Sequence, residues 1–196
     1  MTKTVCSQVD PFYFHYPAGA TIITSHADDR DNAMAVAWHT AISREPPYYL
    51  ISISPKRYTH KLVARTGEFV VNFMPMEQGK LVALVAGCSG RYVNKFDAFK
   101  IAAQPGSRVD APVLADALAA YECRVVGRHT YGDHDLFVGE IVAVQWDAAV
   151  FTSDGWLDIE RARPIVYLGE DRYATAAEAV LLDREVLVRS ALGTRP

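Results

Sequence analysis

The fold class this sequence predicts is mainly β with helices added (α+β), built as a closed or partly closed antiparallel barrel. Three observations carry it. About seven short runs are rich in β-branched and aromatic residues, as strands are. Gly, Pro, Asp and Asn clusters separate them, so most connections read as turns. The runs do not alternate regularly with long helical segments, which disfavours a doubly wound parallel sheet. No internal repeat is visible.

The chain of 196 residues is long enough to bury a substantial core and reads as a single domain over 1–196. Half of its residues are hydrophobic (50%) and 22% are charged, the balance of a soluble globular protein. A net charge of −3 with no basic run excludes the usual nucleic-acid footprint. Cys6, Cys88 and Cys123 form no C-x-x-C pair and no metal-ligand spacing, so no metal site is expected. Their odd, scattered placement suits a reducing compartment. The segment MTKTVCSQVD lacks the apolar core of a leader, and no apolar run approaches membrane-spanning length. A cytoplasmic protein without membrane or nucleic-acid partners is the expectation.

Taken in order, residues 1–13 and the next few form a lead-in, and Phe12, Tyr13, Phe14 and Tyr16 predict that it packs on the body. A first strand is expected over 21–25, a turn over 27–32 (ADDRDN), and a second strand over 33–38. Arg44-Glu45-Pro46-Pro47 breaks the chain. A strand follows over 48–54, then a short helix ending at Gly67, then a strand over 68–74. Residues 76–86 can be helical, and Gly87-Cys88-Ser89-Gly90 is a glycine-rich loop. Loops are marked at 104–106 and 111–112. Two long strands, 120–128 and 135–146, are joined by a tight connection with Gly132-Asp133 at its tip. A last strand covers 165–168, and 176–191 reads as an amphipathic helix within a C-terminal helical extension, 175–196.

One stretch, YYLISISPKRYTHKLVARTG over 48–67, carries chemistry. Ser54 stands where an N-cap belongs and Pro55 where the first helical residue belongs. A helix start presents unpaired N–H groups and the positive end of the helix dipole. Ser52, Ser54, Arg57 and Thr59 add a guanidinium and three hydroxyls, a set suited to a phosphate monoester. The same residues also read as a capped helix with solvated polar side chains, and from this stretch the two readings stand level.

Several segments together are similar to the flavin reductase-like proteins, which bind FMN on a split β-barrel. They are Asn32-x-Met34 leading to Ala37-Trp38-His39-Thr40, then Ser43-x-x-Pro46-Pro47, Ser52-x-Ser54-x-x-Arg57-x-Thr59 and Glu68-Phe69-Val70-Val71-Asn72. Ser89-Gly90-Arg91 with Lys95-Phe96 follows, and Gly132-Asp133-His134 with Phe137-Val138-Gly139-Glu140-Ile141 ends the series. The resemblance covers roughly residues 14–168, in the family's order.

The resemblance implies that Ser52, Ser54, Arg57 and Thr59 form the FMN phosphate site, with Ile53 between them also counted as cofactor-binding. It sets the backbone of Ala37, Trp38, His39 and Thr40 along the isoalloxazine, with Asn32 and Asn72 near ribityl or ring heteroatoms. Ser89, Gly90, Arg91, Lys95 and Phe96 match a loop that helps enclose the flavin. His134 matches a histidine near the flavin and the nicotinamide, in a positioning role. Asn32 also reads as a turn residue and Asn72 as a strand residue, while Trp38 and Tyr92 read either as aromatics stacking on the flavin or as core. His39 departs from the family's small or polar residues, and Cys88 sits directly before the loop with its role open. The implied activity is hydride transfer from NADH or NADPH to FMN, with FAD also compatible. The implied partners are a second copy of the chain and a flavin-dependent monooxygenase or another acceptor. The alternative is a flavoredoxin-like electron carrier without its own NAD(P)H activity.

Overall fold

Two tight hairpins set the architecture of this computed structural model, which describes residues 2, 3, 5, 7 and 16–192. After a short strand β1 (Ala18–Gly19), β2 (Thr21–Ala27) turns into β3 (Arg30–Val36) through Asp28 and Asp29 alone. Both aspartates have positive φ, 53° and 55°, as a two-residue hairpin of this twist requires. The expected six-residue turn is therefore two residues long. Asn32 sits within β3 opposite Ser25 rather than in the turn. The expected strand over 33–38 ends at Val36, and Ala37-Trp38 forms a corner before β4 (His39–Arg44). The Arg44-Glu45-Pro46-Pro47 break is the turn into β5 (Pro47–Ile53), with a cis Glu45–Pro46 peptide.

Helix α1 (Tyr58–Thr66) leads to β6 (Glu68–Phe73), and α2 (Gly79–Ala86) follows a single 3-10 turn at Met76–Gln78. A five-residue helix, α3 (Lys95–Phe99), was not legible in the sequence. Beyond it lie the small pair β7 (Ala103–Gln104) and β8 (Val113–Leu114), then β9 (Ala119–Tyr131) and β10 (His134–Trp146). The β9–β10 hairpin turns at Gly132-Asp133 as expected, with Gly132 at φ 59°. Two register shifts near Val138/Gly139 and Ile141/Ala143 bend this long ribbon. A further hairpin, β11 (Ile165–Gly169) with β12 (Arg172–Thr175), extends the single expected last strand.

Among the described residues, one antiparallel sheet runs β3-β2-β6-β9-β10-β5-β4, and a smaller one runs β1-β11-β12. The larger sheet curls until its two ends approach. Val36 at the end of β3 shares a core cluster with Tyr49, Ile51 and Ile53 of β5, and the Ser52 N–H donates to the Trp38 carbonyl at 2.9 Å as the next rung of the β4–β5 pairing. The cleft system described below opens along that seam.

Curling gives β2 and β6 two buried faces. Ile23, Phe69 and Val71 pack with Ile51, Ile53 and Phe137 inside the barrel. Ile22 faces the other way, against Met74, Val82, Val85, Leu114 and Ile165 beneath α2. Val70 joins Val109, Ala111 and Val113 on a third patch. A strand covered on both sides reads as a continuous apolar run, which is why β6 was unambiguous.

The C-terminal expectation needs correction. Helix α4 spans Arg184–Leu192, and 176–183 is not helical. Asp183 sets the start, its Oδ1 accepting from the N–H groups of Glu185 (3.0 Å) and Val186 (3.1 Å). Leu181 and Val186, on the apolar side of the expected amphipathic helix, are exposed. At the other end Phe12, Tyr13 and Phe14 lie outside the described residues, and Tyr16 is exposed rather than packed. Among the described residues, no helix is long and apolar enough to cross a membrane.

Candidate active site

The site begins where β5 hands over to α1. Ser54 does not cap the helix. Its carbonyl accepts the Arg57 N–H at 2.9 Å, closing a turn with Pro55 inside it. Arg57 is the N-cap residue, in extended conformation (φ −82°, ψ 142°), and Tyr58 opens the helix. The proline favours a turn before the helix rather than the first helical position. No side chain caps this start, and its first turn holds no acidic residue. Positive backbone ends and the Arg57 charge are thus gathered without an acidic residue in the helix's first turn. The other end matches expectation: Gly67 is left-handed at φ 71°, and its N–H donates to the Val63 carbonyl.

A cleft of about 350 Å³ opens at this helix start, bounded by Met34 and Ala35 of β3, by residues 56–59, by 85–90 and by Lys95. Its lining carries three cations, Lys56, Arg57 and Lys95, and hydroxyls from Tyr58, Thr59 and Ser89, with no Asp or Glu. Lys95 is buried at 4% exposure. Its Nζ donates to the carbonyls of Ala33 (2.8 Å) and Val85 (2.7 Å), which leaves a third N–H for the cleft. Burial holds this ammonium below the usual lysine range, and the Arg57 charge acts in the same direction.

Asn32 stands behind the cleft wall. Its Nδ2 donates to Thr59 Oγ1 at 2.8 Å and to Ser25 Oγ at 3.4 Å, tying α1 to β2 and β3. Gly90 covers it so closely that a Cβ there would fall 1.9 Å from Asn32 Oδ1. Only glycine lets the 87–90 loop close over this point.

Two smaller clefts of about 180 Å³ each continue from the first. One shares Met34, Ala35 and Arg57 with it and adds Ala37, Trp38, Ser52, Ser54 and His134. The His134 and Trp38 rings lie 4.9 Å apart at 48°, and His134 Nδ1 is 2.8 Å from Asp133 Oδ1. The other shares Ala35 and Ala86 with the first cleft, then continues through Val36 and Ala37 to Tyr167, Asp171 and Tyr173. All three meet on the short segment Ala35–Ala37.

Of the candidates, Ala37, Trp38, Ser52, Ser54, Arg57, Thr59, Ser89, Gly90, Lys95 and His134 line the first two clefts. Others take different places. Asn72 is fully buried away from the clefts. Its Nδ2 donates to the Ile22 carbonyl and Thr24 Oγ1, and its Oδ1 accepts the Leu114 N–H, so its amide is spent on strand-to-strand ties. His39 turns to β1: its Nε2–H donates to the Gly19 carbonyl at 3.0 Å, and Tyr49 O–H donates to its Nδ1 at 2.6 Å. Burial lowers its pKa, which favours that neutral tautomer. Ile53 is core, Thr40 is exposed, and Phe96 packs on the cluster beneath α2. Arg91 and Tyr92 are exposed on the loop and line none of these three clefts.

The sequence reading missed Lys56, Tyr167, Asp171 and Tyr173. Lys56 stood beside Arg57 as a visible cation, but the three hairpin residues carried no local signal.

The family model described as "Flavin reductase like domain" matches residues 13–176. The chain is 30% identical, over 168 residues, to the reductase component of an FADH(2)-dependent resorcinol hydroxylase from a Rhizobium species. The match covers 85% of this chain and 84% of that one. Among solved structures, an FMN-binding protein from Thermus thermophilus with bound 1-cyclohex-2-enone superposes at TM-score 0.80 and 32% identity. It covers 93% of this chain and 99% of that one. Flavoredoxin of Desulfovibrio vulgaris (Miyazaki F) superposes at TM-score 0.83 with 24% identity, over 94% and 98% of the two chains, a likeness of fold.

Proposed function

Because the chain belongs to the flavin reductase-like family, we propose that it is an FMN-binding oxidoreductase. In this reading it takes hydride from NADH or NADPH onto flavin and passes the electrons to a flavin-dependent partner or a small acceptor. One observation carries the reading. The uncapped start of α1 opens into a cleft with three cations and no carboxylate, and that cleft runs on into a groove of about 180 Å³ past Trp38 and His134.

The donor set fits FMN. Arg57, Lys95, Thr59, Ser89 and the N–H groups at the start of α1 would hold its phosphate. The Ala35–Trp38 segment would lie along its ring, with His134 and Trp38 at the far edge. When bound, FMN supplies the hydride-accepting ring, and the protein supplies orientation and charge. Thr59 and Arg57 are held by α1, whose place against β3 is set through Asn32. His134 is steadied by Asp133 and by the Trp38 ring, which suits a residue that positions a substrate ring.

A homodimer belongs to the same proposal. The exposed apolar residues Leu181, Leu182, Val186 and Leu187 support it, since a monomer would leave them in water. The resorcinol hydroxylase relative supports a monooxygenase as the partner taking the reduced flavin.

The test is a spectrum of the purified protein with added FMN, followed by anaerobic NADH and then NADPH. Bleaching of the flavin band by either nucleotide is the expected result. A flavin reduced only by dithionite would leave an electron carrier, and no flavin binding would overturn the reading.

A further inference from the structure

The two clefts that share Arg57 are built on different elements. The opening turn of α1 walls the first, and His134, near the tip of the β9–β10 ribbon, walls the second. That tip has little support of its own. Asp135, opposite Ile53, is the last β10 residue paired with β5, and β5 ends there. His134 and the turn at Gly132-Asp133 run past that end, and His134 pairs only with Tyr131 of its own hairpin.

A buried tie joins the two elements. Thr59 lines the cation-bearing cleft, while its neighbour His60 reaches β10. The His60 Nε2–H donates to Asp135 Oδ2 at 2.7 Å, a direction set by the ionised carboxylate. Both residues are buried, at 8% and 5% exposure. Thr130 Oγ1 of β9 donates to the other carboxylate oxygen at 2.7 Å, and Phe137 meets the His60 ring edge-on at 5.1 Å. Successive side chains of a strand point to opposite faces, so Asp135 faces α1 while His134 faces the groove. A shift in the first turn of α1 therefore moves the strand segment that carries His134. The Asp133 contact lies within the overhang and cannot place it against the body of the protein. The Trp38 ring and the His60–Asp135 tie can, and of these two the tie is the one made to α1. A charge-assisted hydrogen bond of this kind is roughly twice as strong as a neutral one.

We propose that His60 and Asp135 are positioning residues that couple the two clefts, so that an anion seated at the start of α1 fixes His134 in the groove. The proposal rests on the flavin reading for the identity of the ligand that spans both clefts. Its phosphate and its ring are then held as one cooperative unit rather than as two independent contacts.

The experiment measures affinities for FMN and for riboflavin, which lacks the phosphate, by flavin fluorescence. It compares the wild type with His134→Ala, and repeats the comparison in a background carrying His60→Phe with Asp135→Asn. Removing both partners leaves no bare carboxylate in the core, and the new amide can still accept from Thr130, so this untied protein stays folded. A change that merely destabilises the fold weakens both flavins alike and leaves their ratio unmoved. In the wild-type background, His134→Ala should cut the preference for FMN over riboflavin by about fivefold or more, as for residues in one linked network. In the untied background the same substitution should change that preference by less than about twofold. His60→Gln, whose side-chain amide can donate to the same oxygen, should keep the wild-type pattern. A second readout adds inorganic phosphate to flavin-free protein: the His134 imidazole NMR signals should shift in the wild type and stay in place in the untied variant. If His134→Ala leaves the preference unchanged, or changes it equally in both backgrounds, the proposal is overturned and FMN binding stands. Phosphate shifts at His134 that survive untying would overturn it too. A tie-dependent shift in a protein that fails to bind FMN would keep the coupling and remove the flavin reading alone.

Discussion

Arg57 and Lys95 approach the same cleft from opposite sides with different supports. Arg57 is exposed at the helix start, whereas Lys95 is buried and fixed by two carbonyls. Arg57→Ala should lower FMN affinity by about ten- to a hundredfold, since hydrogen bonds between charged groups contribute about 1.5–3 kcal/mol. Fluorescence titration of FMN would measure it. A fall of less than threefold would place the phosphate elsewhere. A buried pair beneath the site is the other residue-scale feature. His60 on α1 lies 2.7 Å from Asp135 on β10, and Thr130 Oγ1 donates to the same carboxylate at 2.7 Å. The His60 hydrogen bond, aided by Thr130, holds the Asp135 carboxyl below its usual range. A depressed carboxyl pKa stabilises the fold fully above about pH 4, and that contribution fades as pH falls through the folded-state value. Asp135→Asn should cost about 2–3 kcal/mol near neutral pH. Denaturant unfolding at pH 7 and pH 3 should show the wild-type advantage shrinking at the lower pH.

At the scale of elements, the β9–β10 ribbon crosses the core at Gly139. A Cβ there would meet Phe69 Cζ at 2.7 Å and Cys123 Cβ at 2.8 Å, both in the tightly packed barrel interior. Gly139→Ala should therefore destabilise by about 1–3 kcal/mol as an overpacking change. Thermal unfolding would read it, and a neutral result would mean that Phe69 can rotate aside. On the neighbouring face, fully buried Glu122 of β9 pins the 107–109 loop. Its carboxylate accepts from Ser107 Oγ, the Arg108 and Val109 N–H groups, and Gln145 Nε2. Burial alone would raise its pKa, but these donors outweigh it and the net direction is down. The loop should accordingly show hydrogen-exchange protection at neutral pH that is lost in acid.

At the scale of the whole molecule, the curled sheet leaves a seam between the end of β3 and β5, and the clefts run along it. A second copy covering the apolar C-terminal segment should make the protein dimeric in sedimentation equilibrium. Removing residues 180–192 should then shift it toward monomer. An unchanged dimer after that truncation would place the interface elsewhere.

The sequence by itself determined the strand content, the β9–β10 hairpin, the Gly67 stop and the cationic SPKRYT turn. Each rests on neighbours in the chain: β-branched runs, a Gly-Asp tip, a left-handed glycine, adjacent charges. Family resemblance supplied the expectation of a split barrel. Only the tertiary structure decided which polar residues face the clefts. Asn72 and His39 look as reactive in sequence as Thr59 and His134, yet curling of the sheet spends the first two on internal ties and points the others at the seam. Asp171 and the two tyrosines reach the site from more than a hundred residues away in sequence, through pairing of β11 with β1 beside β2. Such placement depends on long-range register, which no local pattern encodes.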